Sequence, residues 1–145
     1  MGKDPIRDLE AELADFWRKG RSQMRSRSHA IDPRMDPSLY PLILILSRAD
    51  SLPMSRLVAE LGLDKSTVTR QVDAVVRLGL AERRPDPADA RARVVSLTET
   101  GRARYLAATE RTAGTWRARL TEWDPADVAT LAALLHRLTA DVTGE

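Results

Sequence analysis

The segment from Leu61 to Leu80 decides the fold and has the sequence LGLDKSTVTRQVDAVVRLGL. Asp64 is a favourable helix N-cap, because its carboxylate can accept a hydrogen bond from a free N–H group of the first turn. Gly79 favours the end of a helix, because glycine tolerates the left-handed backbone conformation that often follows one. Between these two residues, valines recur every three or four positions and leave a polar opposite face. The pattern predicts an amphipathic helix over most of the segment.

A second predicted helix precedes this segment, and a predicted β-hairpin follows it. Residues 55–61 carry a short helical pattern that Gly62 ends. After the segment, Leu80–Arg84 and Arg93–Leu97 are predicted strands joined by a turn-rich linker. Two helices joined by a short glycine-containing turn and followed by a hairpin form a winged helix-turn-helix, which presents its second helix to the major groove of DNA. The sequence therefore predicts a mainly α-helical protein with a small β-hairpin wing.

Helical signals also lie on both sides of this predicted lobe. Aspartate followed by proline, a typical helix start, occurs at Asp4-Pro5, Asp36-Pro37 and Asp124-Pro125. The apolar run Leu39–Leu46 is predicted as a helix, although Pro41 lies inside it. We predict terminal helices in residues 1–35 and 102–145 and a winged helix-turn-helix lobe in residues 36–101, all within one compact chain.

The composition is that of a soluble globular protein of about one domain, with 145 residues, 30% charged residues and a formal net charge of +2. The absence of cysteine excludes disulfides, thiolate metal sites and cysteine nucleophiles. The longest apolar run has eight residues, whereas a membrane-spanning helix needs roughly 18. The N-terminus turns acidic at once and has no signal-peptide pattern. We therefore expect a cytoplasmic protein without membrane contact.

Catalysis and bound cofactors are not expected. The sequence has no glycine-rich phosphate loop, no Gly-x-Ser-x-Gly and no metalloprotease motif. Its two histidines, His29 and His136, are 107 residues apart and have no cysteine partners, which argues against a zinc site. We expect neither an enzyme, nor a metal, nor a cofactor.

Basic charge concentrates in the middle of the chain. Residues 53–104 carry ten basic and seven acidic side chains, whereas residues 105–145 carry four and six. The polar face of the predicted second helix combines short hydroxyl side chains with cations, which suit base edges and phosphates. The expected DNA contacts on this helix are Lys65, Ser66, Thr67, Thr69, Arg70 and Arg77. The alternative is that these residues are the ordinary solvated face of a core helix.

The predicted hairpin carries arginines on its strands and at its tip. Arg91 at the tip can enter the minor groove, where narrow A·T-rich segments concentrate negative potential. Asp89, two residues earlier, could hold that guanidinium in place. The expected wing contacts to DNA are Arg84, Asp89, Arg91 and Arg93. The alternative is a surface ion pair that closes the turn and contributes less than about 1 kcal/mol.

Four segments, taken in order, resemble the MarR family of bacterial multiple-antibiotic-resistance-type regulators. They are LGLDKSTVTRQVD at 61–73, GLAER at 79–83, DPADAR at 86–91 and VSLTETG at 95–101. The resemblance implies a homodimer whose DNA-binding lobes are joined through the terminal helices, and a sequence-specific repressor of a pseudo-palindromic, inverted-repeat operator. It places Ser66, Thr67, Thr69 and Arg70 at recognition-helix positions, Arg91 at the wing-tip arginine and Asp89 at its partner. Pro41 is less usual within the family's second helix.

The predicted terminal helices support the homodimer independently. In the last helix, apolar residues recur in steps of three and four at Val128, Leu131, Leu135, Leu138 and Val142. Such a stripe more often packs within its own chain. A second subunit would also bury it, and would give the two-fold symmetry that matches an inverted repeat.

The resemblance also implies release from DNA by a small aromatic or phenolic ligand, bound between the terminal helices and the DNA-binding lobe. The candidate lining residues are Trp17, His29, Tyr40 and Trp116. Each has an ordinary alternative, as core filling for the tryptophans or as exposed surface for the histidine.

A winged-helix module that binds protein instead of DNA is the alternative function. Such a module would show aromatic or methionine side chains on the exposed face of its second helix. The predicted face carries none. Whether a DNA-binding protein of this kind represses or activates depends on the position of its operator, which the sequence leaves open.

Overall fold

Helices occupy most of the chain. The structure, a computed structural model, describes residues 4–143 without the side chains at positions 112, 113, 115, 142 and 143, so that Val142 lies outside the described side chains. The helices are α1 (Pro5–Ile31), α2 (Tyr40–Ser47), α3 (Met54–Leu61), α4 (Lys65–Arg77), α5 (Glu99–Thr121) and α6 (Pro125–Thr143), and the strands are β1 (Leu52–Pro53), β2 (Ala81–Pro85) and β3 (Arg93–Leu97). Within residues 4–143, no helix combines the length and the apolar character needed to cross a membrane.

The chain divides into two compact units between Thr109 and Glu110. The first unit contains the elements from α1 to the first turns of α5, and the second contains the rest of α5 and α6. The predicted mainly α-helical architecture with a β wing is confirmed. The boundaries predicted at residues 36 and 102 stay predictions.

The helix starts predicted from aspartate are capped by those aspartates. The carboxylates of Asp4, Asp64 and Asp124 accept hydrogen bonds from backbone N–H groups two or three residues further on, at 2.8–3.1 Å. Gly62 and Gly79 have positive φ angles of 63° and 74°, and they follow the ends of α3 and α4. Local residue chemistry therefore sets where these helices begin and end.

The apolar run after Asp36 forms a short 3-10 turn, Pro37–Leu39, and then α2. The predicted helix is confirmed. Pro41 is its second residue, where a backbone N–H makes no bond within the helix, so the proline is tolerated. Leu42, Ile43 and Leu46 are at most 1% exposed. Because α2 is buried on most sides, its sequence shows little periodicity.

The predicted hairpin is present as β2 and β3, and a third strand, which the sequence did not predict, extends it to a three-stranded sheet. β2 and β3 pair antiparallel along their whole length. β1 pairs antiparallel with the other edge of β3, with Leu52 opposite Val95. A strand of two residues is too short to show an alternating pattern, which is why the sequence did not predict it.

The core of the first unit fixes the orientation of α4. Val68, Val72 and Val75 are fully buried on one side of this helix. They belong to one apolar cluster with side chains from α2, α3 and β3, including Leu42, Ile43, Leu46, Leu57 and Val95. The opposite side of α4 is therefore turned to solvent.

A buried carboxylate joins the end of α1 to the beginning of α5. Asp32 is 1% exposed and accepts hydrogen bonds from Arg34 Nε at 3.0 Å, Arg34 Nη2 at 2.8 Å and Arg104 Nη1 at 2.8 Å. These bonds, led by those from the Arg34 side chain, hold the pKa of the Asp32 carboxyl well below its usual range. The charge is thus fully paired where it is buried, as a buried charge requires.

Gly101, in the first turn of α5, lies directly against the backbone of Leu80, the residue before β2. The backbone N–H of Gly101 donates to Thr98 Oγ1 at 2.9 Å, so Thr98 caps α5, and this hydroxyl donates to the Gly79 carbonyl at 2.7 Å. A Cβ at Gly101 would lie 1.9 Å from the backbone oxygen of Leu80. Only glycine fits this approach without a backbone shift.

Gly101→Ala is therefore expected to lower the free energy of unfolding by about 1–3 kcal/mol or more, because the added methyl group overlaps backbone. The matched control is Gly20→Ala in α1, where an added Cβ has no neighbour within 4 Å. This control should raise stability by roughly 0.5–1 kcal/mol, because alanine favours a helix interior over glycine. Urea unfolding measures both effects, and a Gly101→Ala variant as stable as the wild type would contradict the packing described above.

Candidate nucleic-acid interface

The solvent face of α4 carries exposed polar and cationic side chains. Lys65, Ser66, Arg70 and Arg77 are all exposed. Ser66, Arg70 and Arg77 recur at helical spacing on the side opposite the buried valines. Within residues 4–143, none of the three cations on this face lies within 4 Å of a carboxylate. Their charges are therefore available to an external anion.

The cap of α4 organises the hydroxyl groups at its start. The Asp64 carboxylate accepts the backbone N–H of Thr67 at 2.9 Å, the Thr67 hydroxyl at 2.6 Å and the Ser66 hydroxyl. These bonds hold the pKa of the Asp64 carboxyl well below its usual range, and the bond from Ser66 has the largest effect. Because the exposed Ser66 hydroxyl donates its proton to Asp64, its oxygen keeps lone pairs that can accept another hydrogen bond.

Thr67 and Thr69 are less accessible than the sequence suggested, since both are half-buried. The Thr69 hydroxyl donates to the Lys65 carbonyl at 2.8 Å, which is a bond within the helix. Arg70 Nε donates to the Ser66 carbonyl at 3.4 Å, and the rest of its guanidinium stays exposed. Among the predicted contacts on α4, Lys65, Ser66, Arg70 and Arg77 are therefore the most accessible.

Two aspartates order the tip of the wing between β2 and β3. The Asp86 carboxylate accepts the N–H of Ala88 at 2.8 Å, and the Asp89 carboxylate accepts the N–H of Arg91 at 3.0 Å. Asp89 thus bonds the backbone of Arg91, whereas the sequence had suggested a contact to the Arg91 guanidinium. An aspartate in a turn readily accepts a hydrogen bond from the backbone N–H two residues further on. The Arg91 guanidinium is left exposed.

The two strand arginines predicted as DNA contacts differ in their surroundings. Arg84 Nε lies 3.4 Å from Glu82 Oε1, so its charge is partly compensated. Arg93 is exposed, and in the described part of the chain it has no ion-pair partner. Arg91 and Arg93 are therefore the free cations of the wing.

Asp73 on α4 and Arg83 on β2 form a contact that was not predicted from the sequence. Arg83 Nη2 lies 2.6 Å from Asp73 Oδ1. Both residue types were visible in the sequence on a polar helix face and on a predicted strand. No spacing rule, however, predicts a contact between a helix and a strand, because it depends on how the two pack.

The four candidate ligand-pocket residues lie in different environments. Tyr40 is 6% exposed and belongs to the apolar core, whereas Trp17 and His29 are exposed on α1. Trp116, in the second unit, lines a surface depression together with Arg117, Leu120 and Thr121. The aromatic pocket stays a prediction. Across residues 4–143, no group of three or more histidine, aspartate or glutamate side chains is placed to hold a metal ion.

Comparisons with known proteins agree with this geometry. The model of the MarR family matches residues 35–92. An HTH-type transcriptional regulator of Bacillus subtilis (strain 168), YxaD, is 26% identical over 138 residues, which cover 95% of each chain. Among solved structures, the MarR family transcription regulator SP03579 has a TM-score of 0.80 at 19% identity and covers 98% of this chain and 95% of its own. Wild-type MarR from E. coli has a TM-score of 0.64 at 22% identity, with coverages of 88% and 95%.

The fold is a winged helix-turn-helix, the architecture of the transcription regulators to which the chain is similar. The resemblance to the MarR family inferred from four sequence segments is confirmed, since the family model covers the lobe from α2 to the wing tip. The chain has the fold of a MarR-family transcription regulator.

The Asp64 cap gives the stability of the lobe a defined dependence on pH. The folded carboxyl has a lowered pKa, so the unfolded chain binds the proton more readily. The stabilisation is therefore complete above the unfolded value of about 3.9 and is lost as the pH falls through the folded value. Asp64→Asn removes the titration and keeps an acceptor for the N-cap bond.

We expect the wild type to be more stable than Asp64→Asn at neutral pH and the difference to shrink steadily below about pH 4. Urea unfolding at fixed protein concentration between neutral pH and about pH 2 measures it. A difference that stays constant over this range would contradict the assigned hydrogen bonds.

Proposed function

We propose that this chain is a sequence-specific regulator that binds a pseudo-palindromic, inverted-repeat operator as a homodimer and represses transcription. The observation that supports this most strongly is the solvent face of α4, which carries an exposed serine and three cations without an ion-pair partner among the described residues, beside a wing that carries Arg91 and Arg93. In this proposal α4 enters the major groove and the wing reaches the adjacent minor groove.

The side chains of α4 suit two kinds of contact. Arg70 is exposed and can donate two hydrogen bonds to the O6 and N7 acceptors of guanine. The Ser66 oxygen, whose own proton is directed to Asp64, can accept from an exocyclic amino group of adenine or cytosine. Lys65 and the N-terminus of α4 add positive potential toward backbone phosphate. Phosphate contacts position the protein in this arrangement, and base contacts give it sequence preference.

The wing suits the minor groove. Its backbone tip is ordered by two aspartates, so that Arg91 projects from a defined turn. An unpaired guanidinium favours a narrow minor groove, where negative potential is concentrated. The wing would therefore prefer A·T-rich flanks next to each half-site.

Exposed apolar residues support the homodimer. On α1, Ile6, Leu9, Phe16 and Trp17 lie along one side of the helix and are 52–67% exposed. On α6, Leu131, Leu134, Leu135 and Leu138 also lie along one side of the helix and are 37–51% exposed. Water-soluble proteins rarely leave such stripes uncovered. A second copy of the chain would cover them and would place two α4 helices about a two-fold axis, as an inverted repeat requires.

We propose further that a small aromatic or phenolic ligand releases the protein from DNA. This follows the resemblance to the MarR family. In the first unit the exposed candidate residues are Trp17 and His29, with Tyr40 buried in the core, and in the second unit the exposed candidate is Trp116.

Selection from a random pool of duplexes tests the proposed function directly. The expected product is an enriched inverted repeat whose half-site centres lie about one helical turn, 10–10.5 base pairs, or a multiple of it apart. Light scattering of the free protein should give twice the 16.1 kDa of one chain. A pool without any enriched sequence, or enriched single half-sites bound by a monomer, would overturn the proposal.

Arg91→Ala is expected to weaken binding to the selected operator and to reduce the slope of log affinity against log salt by about one, because one cation leaves the DNA interface. The matched control is Arg18→Ala, which removes the same charge from α1, where Arg18 is already paired with Asp15 at 2.6 Å. The control should keep the wild-type slope, and both variants should keep the wild-type mass. Equal slopes for Arg91→Ala and the wild type would remove the wing from the mechanism.

A further inference from the structure

The contact between Asp73 and Arg83 joins the helix proposed to read the DNA to the wing. Arg83 Nη2 lies 2.6 Å from Asp73 Oδ1. In the described part of the chain, it is the one ion pair between α4 and a strand of the sheet. The side chains of Arg83 and Asp73 are 34% and 42% exposed, so the pair is accessible from outside the protein.

The direction of the Arg83 side chain follows from the strand geometry. Successive side chains of a strand point to opposite faces, so Arg83 shares a face of β2 with Ala81, which is 2% exposed and packs in the core. Arg84 and Glu82 share the other face, and their ion pair at 3.4 Å is consistent with that. Arg83 is thus the arginine of β2 that is turned toward the helices.

Asp73 lies on the outward side of α4, one turn after Arg70 and one turn before Arg77. A carboxylate at this position repels DNA unless a cation neutralises it. Arg83 provides that cation and brings its guanidinium to the border between α4 and the wing. A guanidinium has five N–H donors. Within residues 4–143, Arg83 uses its side chain in one hydrogen bond, the one to Asp73.

The geometry of duplex DNA defines what lies opposite this border. The major groove, which would hold α4, and the adjacent minor groove, which would hold the wing, are separated by one sugar–phosphate strand. A side chain between the two elements therefore faces a backbone phosphate. We propose that Arg83 contacts this phosphate and that Asp73 orients its guanidinium, so that the pair sets the spacing between α4 and the wing. This inference depends on the DNA binding proposed above.

The test compares Asp73→Asn and Arg83→Gln with the matched control Glu82→Gln, which removes an acidic charge from the opposite face of β2. Each variant is titrated with the selected operator and with a scrambled duplex of the same length and composition. An exposed ion pair affects binding modestly, so Asp73→Asn should lose about fivefold in operator affinity. Its affinity for the scrambled duplex should not fall, because a negative charge has been removed. The control should raise both affinities slightly and keep their ratio.

Arg83→Gln should reduce the salt slope of operator binding by about one, as expected for a lost phosphate contact. The double variant should lose no more operator affinity than Arg83→Gln alone, because Asp73 acts through Arg83. If the wild type selects an operator but Asp73→Asn keeps the wild-type ratio of operator to scrambled affinity, this inference is wrong and the proposed function stands. If the wild type binds no duplex at all, the proposed function itself fails.

Discussion

The burial of the valines on α4 is the constraint on which the rest of the interface depends. Val68, Val72 and Val75 have no exposed surface, and burying a valine side chain contributes about 1.5–3 kcal/mol. Rotating α4 to hide its cations would expose these side chains and place unpaired charges in an apolar core. The outward direction of Ser66, Arg70 and Arg77 is therefore a consequence of hydrophobic packing. The buried valines therefore determine which side chains of α4 would face DNA.

Polar contacts then connect the elements around this helix. Asp64 holds the start of α4, Asp73 holds the wing strand through Arg83, and the close approach at Gly101 begins α5 directly after the sheet. Asp32 ties the end of α1 to the first turns of α5 through Arg104. Short polar contacts with defined geometry complement apolar burial, which has no preferred direction by itself. Together these contacts fix the position of the wing relative to α4 within the first unit.

The sequence was sufficient to predict the features that depend on residues within about one helical turn of each other. The aspartate caps and the glycine helix ends were predicted, because their partners lie two to four residues away. The exposed cations of α4 followed from its helical periodicity, and the wing arginines followed from their place in the predicted hairpin. Strand β1 was missed because two residues carry no pattern. The Asp32–Arg104 and Asp73–Arg83 contacts were missed because they depend on packing between elements, and in the first pair 72 residues separate the partners.

Some details of the predicted interface changed once the side chains were placed. Thr67 and Thr69 are half-buried and bonded within their own helix, which leaves Ser66 as the accessible hydroxyl. Asp89 bonds the backbone of Arg91 and not its guanidinium. Both differences have one cause. Short side chains near a helix start or a turn bond first to the polar groups closest to them along the chain, such as the Asp64 carboxylate for Thr67.

Methylation interference on an operator duplex tests most directly whether α4 and the wing occupy adjacent grooves. A methyl group at guanine N7 blocks the major groove, and one at adenine N3 blocks the minor groove. We expect guanine positions that interfere in both half-sites, related by two-fold symmetry, with interfering adenines in the minor groove next to each. Interference in one groove alone, or none in either half-site, would contradict it.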